Sequence, residues 1–329
     1  MYEQILQLFG DHSEISFEEV ALQVFLYQSR YNPVYKEYLE LIKVDAVTVE
    51  SLEEIPLMPI DFYKHREVKT GDWPTERLFL SSGTTNQPRS KHHLRSSGWY
   101  VEITRRIFQE AGFNLSKVKV LGLLPNYLEA GQSSLVHMVN DFVNISETAQ
   151  PQFFLYDHAG LHQRILELIE IEEVILFGVT FALLDFANAY QIDSSKLKII
   201  FTGGMKNRQE ELMHDTIVER LKVAFPASPI HSEYGMTELL SQTYADDKGR
   251  YRMPSTMQVI PKEINDPFSN AKLGKTGMLG IMDMGNIDTL SFVLTQDLGR
   301  VYPDSTFEVI GRISDSDLRG CNLLYNPTI

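Results

Sequence analysis

Hydrophobic and polar positions along this chain follow two rhythms, and the change between them falls near residue 245. At the start, Ser16 and Glu19 have the spacing of a capping box, and Phe17, Val20, Val24 and Tyr27 follow at helical intervals. The first fifty or so residues therefore predict packed helices. Pro56 and Pro59 in IPLMPIDFYK exclude a regular helix interior there and predict an extended crossing. From Arg77 onward, short apolar runs alternate with helix-like segments: RLFL, then 94–111, KVKVLGLL, then 133–143, FFLY, then 161–171. The series continues with EEVILFGV, a helix near 180–190, KLKIIFTGG and a helix near 207–224. Parallel strands need crossover helices, so this order predicts an α/β domain with a largely parallel sheet. Ligands are then expected at the strand C-termini. After about residue 245 come short strands separated by turns: GRYRMP, TMQVIP, GMLGIMD, LSFVLTQDLGRVY, TFEVIGRI and DLRGCNLLY. That texture predicts a β-rich subdomain.

Composition narrows the class. At 329 residues, with no repeat and no low-complexity linker, the chain is long enough for one large core with a small continuation. A formal net charge of −14 repels nucleic-acid phosphates and anionic lipid, so nucleic-acid binding is not expected. The single cysteine, Cys321, excludes an internal disulfide and a Cys-rich zinc site, which suits a reducing cytosol. The start MYEQILQLFGDHSE has no basic-then-apolar leader pattern, and no apolar run has the roughly 18 to 20 residues a spanning helix needs. A cytoplasmic protein without a membrane span is expected.

The chemistry-bearing segments lie at strand ends. Leu80-Ser81-Ser82-Gly83-Thr84-Thr85-Asn86-Gln87-Pro88-Arg89 is a hydroxyl-rich loop after RLFL. Freed backbone N–H groups and four hydroxyls suit phosphate oxygens, and Arg89 or Lys91 adds positive charge. On composition alone the same cluster is also what a solvated loop looks like. In His231-Ser232-Glu233-Tyr234-Gly235-Met236-Thr237-Glu238, an aromatic ring suits a purine face and Gly235 a close backbone approach. Thr237 suits a phosphate and Glu238 offers hard oxygen to Mg²⁺. Alone, this string also reads as a strand end and the cap of a following helix. Gly203 and Gly204 close the strand KLKIIFT, where missing side chains let backbone approach a flat ligand. Lys206 there suits a carboxylate or phosphate, or plain solvent.

Taken together and in order, these segments resemble the acyl-adenylate-forming superfamily. Its SSGTT-type loop holds the pyrophosphate of ATP, and here Asn86 stands where Gly is usual and Arg89 where Lys is common. Its Tyr-Gly-x-Thr-Glu motif contacts adenine, α-phosphate and magnesium, and a Gly-rich turn lies at the adenine pocket. Thr295-Gln296-Asp297 resembles the Thr-Gly-Asp segment whose Asp takes the ribose hydroxyls, with Gln in place of Gly. Gly311-Arg312 resembles the hinge, its acidic partner being Asp315 or Asp317. The resemblance implies ATP and Mg²⁺ as cofactors. It implies nucleotide binding by Ser81, Ser82, Gly83, Thr84, Thr85, Gly203, Gly204, Tyr234, Gly235, Met236, Thr237, Asp297 and Arg312. Thr84 and Glu238 would be catalytic, with Glu238 as metal ligand.

Most superfamily members carry a lid domain after the hinge, whereas this sequence stops at Ile329, 17 residues past Arg312. That is similar to the acyl-protein synthetases of bacterial bioluminescence, the LuxE-like fatty-acid luciferin-component ligases, which place an acyl-accepting cysteine near the C-terminus. Phenylacetate-CoA ligases have a similar Arg-Gly-x-Asn segment. The expected organisation is an adenylate-forming domain over 1–310, β-rich from about 245, and a hinge and tail over 311–329 without the lid. The resemblance makes Cys321, beside Arg319, the candidate acyl acceptor, although a lone Cys between Gly and Asn also reads as a small buried apolar residue. The expected activity is ATP-dependent activation of a fatty acid to acyl-AMP and transfer to a protein thiol. An acyl reductase, a carrier protein or another thiol would be the onward partner. The alternatives are a shortened acyl- or aryl-CoA ligase and a non-catalytic nucleotide-binding subunit. Tyr127, Leu128, Leu135, Phe177 and Phe181 suit either an acyl tunnel or plain core.

Overall fold

The computed structural model describes residues 1–10, 15–82, 88–125, 131–146, 152–203 and 213–313. At the N-terminus, α1 (Tyr2–Gln7), α2 (Phe17–Tyr31) and α3 (Pro33–Leu41) form the expected helical start. Ser16 and Glu19 close the capping box on α2, while Asn32 caps α3 with Pro33 at its first position. Gln28 and Asn32 are fully buried and bond the backbone of Asn286, Ile287 and Thr289, so these helices are pinned to a distant turn. The Pro56–Pro59 crossing becomes a two-residue strand, β1 (Met58–Pro59), followed by a one-turn helix, α4 (Phe62–His65).

RLFL forms β2 (Arg77–Leu80), but it does not enter the parallel sheet. It pairs antiparallel with β3 (Lys91–Leu94) as a separate two-stranded unit. The hydroxyl-rich loop therefore bridges a hairpin. KHHL gave no strand signal because its inward residue is a histidine, His92, which is fully buried. The helix expected over 94–111 is α5 (Ser97–Glu110), capped by Ser96.

Then follow β4 (Val118–Leu123), α6 (Ser134–Ile145), α7 (His158–Ile169), β5 (Glu173–Val179), α8 (Thr180–Ala189), β6 (Leu197–Thr202), α9 (His214–Ala224) and β7 (Ile230–Tyr234). β4, β5, β6 and β7 are parallel neighbours in that order. The apolar runs of β4, β5 and β6 are nearly continuous because both faces are covered, whereas β7, IHSEY, carries polar residues. Val120, Ile175, Phe177 and Ile200 pack into the core beneath α5 and α6. Leu121, Leu176 and Ile199 face a second core with α7, α8 and α9. FFLY contributes only an isolated bridge between Phe153 and Gly122.

The sheet continues without a break into β8 (Thr243–Ala245), β9 (Tyr251–Arg252), β10 (Met257–Lys262), β11 (Thr276–Asp283), β12 (Phe292–Val301) and β13 (Thr306–Arg312). All of these pair antiparallel with one another, and β8 pairs antiparallel with β7. The molecule is thus an α/β fold whose parallel half hands over to an antiparallel half at β7. The C-terminal ends of the parallel strands and the β12–β13 pair meet at that junction.

Candidate active site

A cavity of about 1050 Å³ opens at this junction. Ser81 and Ser82 reach it from the hairpin, Gly203 from the end of β6, and Gly235, Met236, Thr237 and Glu238 from the turn after β7. Asp297 and Arg312 enter from the antiparallel half. Gly83, Thr84, Thr85 and Gly204 lie outside the described residues, as do Asn86, Lys206, Asp315, Asp317, Arg319 and Cys321.

Each element is held by local chemistry. The base of the hydroxyl-rich loop is cross-tied: Ser81 N–H donates to the Ser90 carbonyl at 3.1 Å, and Ser90 N–H donates to Ser81 Oγ at 2.9 Å. Arg89 turns back to donate to the carbonyls of Ser81 and Leu80, so it props the loop's base. Lys91 is exposed on β3 and does not line the cavity. Gly203 adopts φ +71°, in the left-handed region, and its carbonyl accepts from the Thr180 hydroxyl at 2.7 Å.

The segment 234–238 ends its strand and turns; no helix follows. It rests on a buried polar frame. Asn286 Nδ2 donates to the Glu238 carbonyl at 2.7 Å. His92 Nδ1 lies 2.6 Å from the Thr237 carbonyl and donates to it as the neutral imidazole, since burial pushes its pKa down to about 4. Asp283 accepts from Leu240 N–H, Ser241 N–H, Ser241 Oγ and Gly285 N–H.

Tyr234 lies differently from the rest. Its hydroxyl donates to Asp297 at 2.8 Å and its ring packs on Tyr251 and Phe307, so it braces the carboxylate and does not itself line the cavity. Asp297 is opposite Arg312 in the β12–β13 register, with Arg312 Nε 3.7 Å away. A carboxylate and a guanidinium at one rim suit the hydroxyls of a ribose.

Glu238 is 8% exposed. Burial raises its pKa, opposed by a hydrogen bond from the Ser90 hydroxyl and by the charges of Arg312 and Lys64. Lys64, on α4, lines the same cavity and pairs with Asp61 at 2.6 Å. Among the described residues no group of three or more His, Cys, Asp or Glu side chains gathers as a metal cage. A single carboxylate still fits Mg²⁺ arriving with a nucleotide, because that ion is commonly held by one or two carboxylates plus phosphates and water.

Sequence reasoning assigned no role to Lys64, Thr202, Glu233 or Gln242, which also line the cavity. Glu233 lay inside the quoted motif and carried a signal: a carboxylate at the end of an otherwise buried strand. Of the suspected tunnel residues, Leu135 and Phe181 line the cavity, Phe177 is plain core, and Tyr127 and Leu128 lie outside the described residues.

With this geometry in place, comparison with known proteins is decisive. The model of the acyl-protein synthetase family, LuxE, matches residues 3–329. The chain belongs to that family. It is accordingly an acyl-adenylate-forming ligase. No curated protein matches it in sequence. Among solved structures, the LuxE-family chain is similar to 2-hydroxyisobutyryl-CoA ligase in complex with 2-HIB-AMP and CoA. The TM-score is 0.67 at 15% identity, covering 90% of this chain and 67% of that one. ATP-bound MatB from Rhodopseudomonas palustris gives a TM-score of 0.52 at 16% identity, over 75% of this chain and 49% of that one. O-succinylbenzoate coenzyme A synthetase from Bacillus subtilis, in complex with AMP, gives 0.52 at 16%, over 85% and 56%. The chain spans about two thirds of the first of these and about half of the other two. At such identities these likenesses establish the fold. No helix among the described residues is long and apolar enough to cross a membrane.

Proposed function

We propose that this protein uses ATP to activate a carboxylic acid as its acyl-adenylate and then passes the acyl group to a thiol. The observation that carries the reading is the convergence, in one cavity, of Ser81 and Ser82, the 235–238 turn, and the Asp297–Arg312 pair. These come from three separate stretches of sequence and match the three parts of a nucleotide.

In the first step a carboxylate oxygen attacks the α-phosphorus. A P–O bond forms to the acid and the bond to the β-phosphate oxygen breaks, releasing pyrophosphate. Asp297, steadied by Tyr234 and Arg312, fixes the ribose and so aligns the α-phosphate. The hydroxyls of Ser81 and Ser82 take the departing phosphates, and Lys64 adds positive charge at the same cavity. Glu238 would hold Mg²⁺, which when bound neutralises phosphate charge. In the second step a thiolate attacks the acyl carbonyl and AMP leaves. We take Cys321 as that thiol, with a reductase, a carrier protein or another thiol as the onward acceptor, and an acid with an apolar tail as the substrate. Leu124, Leu135, Val136, Met138 and Phe181 on the cavity wall support that tail.

Intact-protein mass spectrometry after incubation with Mg-ATP and a panel of acids tests the thiol step. A hydroxylamine-labile acyl mass on wild type and none on Cys321→Ser is expected. Pyrophosphate release without any adduct on wild type contradicts Cys321 as acceptor and moves the acyl group to coenzyme A or a partner.

A further inference from the structure

Glu233 sits in the cavity wall with a carboxyl that has few partners among the described residues. It is 8% exposed, and the hydroxyl of Thr202 donates to its Oε2. Among the described residues no lysine, arginine or histidine charge acts on it; burial and the Thr202 hydroxyl are the influences they exert. Its neighbours include the buried phenols Tyr100 and Tyr244, on which its own charge acts. Oε1 lies over Gly235, where a Cβ would come within 2.4 Å of it. Glycine at 235 thus makes room for the Glu233 carboxyl at the start of the 235–238 turn, which the adenylation reading sets against the α-phosphate.

Gln242 gives an independent sign. It is 3% exposed and lines the same cavity, with its Cβ 3.4 Å from where a Gly235 Cβ would stand. Its Nε2 donates to the Thr104 carbonyl at 3.0 Å, which fixes which end of the amide is nitrogen. Its Oε1 is buried with no hydrogen-bond partner among the described residues. Buried acceptors are normally satisfied, so this one marks the wall beside Glu233 as polar and incompletely paired by the described residues.

We infer that the acid taken by this cavity carries a hydrogen-bond donor, a hydroxyl or an ammonium, close to its carboxyl, and that Glu233 is the residue that recognises it. The inference rests on the adenylation reading above. The donor's place near the carboxyl follows from the place of Glu233 beside Gly235. The apolar wall takes the remainder of the chain, so an acid with an apolar tail and a substituent on its second or third carbon fits both features.

The test compares acids of equal length, plain, 3-hydroxy and 3-amino, in acid-dependent pyrophosphate release. Wild type, Glu233→Gln and Glu233→Leu are compared, with thermal melts confirming that each variant folds. Leaving a buried polar pair unmade is expected to cost the plain acid about 10- to 100-fold in kcat/KM on wild type. Glu233→Leu is expected to erase that preference while still activating the plain acid. Glu233→Gln separates the two donors: it retains a hydroxy acid and loses an amino acid, whose charge needs the carboxylate. A plain acid used as well as its substituted partners by wild type, or a preference unchanged in Glu233→Leu, overturns the inference while adenylation stands. No release with any acid overturns the adenylation reading itself, and this one with it.

Discussion

Two buried carboxyls, Asp283 and Glu233, lie in neighbouring parts of this molecule, and they are treated in opposite ways. Asp283, at the end of β11, receives four donors: three backbone N–H groups and the Ser241 hydroxyl. Glu233, at the end of β7, receives one hydroxyl. Burial raises the pKa of both, but at Asp283 the four hydrogen bonds oppose it, whereas Glu233 is pushed up to about 7. The contrast separates a carboxylate saturated by the turn that folds around it from one that faces the cavity with one hydroxyl donor among the described residues, the one proposed above to meet the substrate. Glu238 belongs with the second kind, since it too is buried and faces the cavity, with Ser90 as its side-chain donor.

The comparison breaks most visibly at Asp283. Asp283→Ala strips partners from three buried N–H groups, and a loss of roughly 3–5 kcal/mol in urea unfolding is expected. A loss below about 1 kcal/mol contradicts the structural role given to this carboxylate. Glu238→Gln is expected to do the reverse: unfolding stability stays near wild type, while acyl-adenylate formation falls by about 10²- to 10³-fold, the scale for removing one charge-stabilising group. If the variant instead unfolds readily and keeps its rate when folded, Glu238 belongs with Asp283.

Glu233 predicts a dependence of stability on pH. Its folded pKa is raised above the ordinary 4.5, so between that value and about 7 the folded state binds more protons than the unfolded chain. Its contribution to stability is therefore largest at low pH and is lost as pH rises through 7, on the order of 3 kcal/mol across the window. Glu233→Gln removes that fall, so stability-against-pH curves for the two proteins should diverge above pH 5. Parallel curves contradict the burial assigned to Glu233. The smallest effect is at the ribose rim, where Asp297→Asn should raise the KM for ATP about 10-fold and leave kcat little changed.

The sequence disclosed the parallel half of the fold better than the rest. The strands β4, β5 and β6 are buried on both faces and read as largely apolar runs, and α6 and α7 carry side-chain caps from Ser133 and Asp157. The hairpin was missed because β3 is KHHL, whose buried residue is a histidine held neutral by its surroundings. FFLY looked like a strand because its residues are apolar, yet it makes one bridge. Short motifs single out Ser81, Ser82, Gly203, Gly235, Thr237, Glu238, Asp297 and Arg312, and the structure brings these residues to one cavity. For Tyr234 the motif suggests a ligand contact, and the structure shows its hydroxyl donating to Asp297. Lys64, Thr202 and Gln242 could not be assigned from sequence, because their relation to the cavity depends on where α4, β6 and the turn before β8 come together in space.

The central claim is that this cavity joins a carboxylic acid to AMP. Exchange of labelled pyrophosphate into ATP, measured with and without a panel of carboxylic acids, tests it most directly. The account predicts exchange that requires an acid and falls about 10²- to 10³-fold in Glu238→Gln. Exchange absent with every acid, or ATP consumed to ADP and phosphate irrespective of acid, contradicts it.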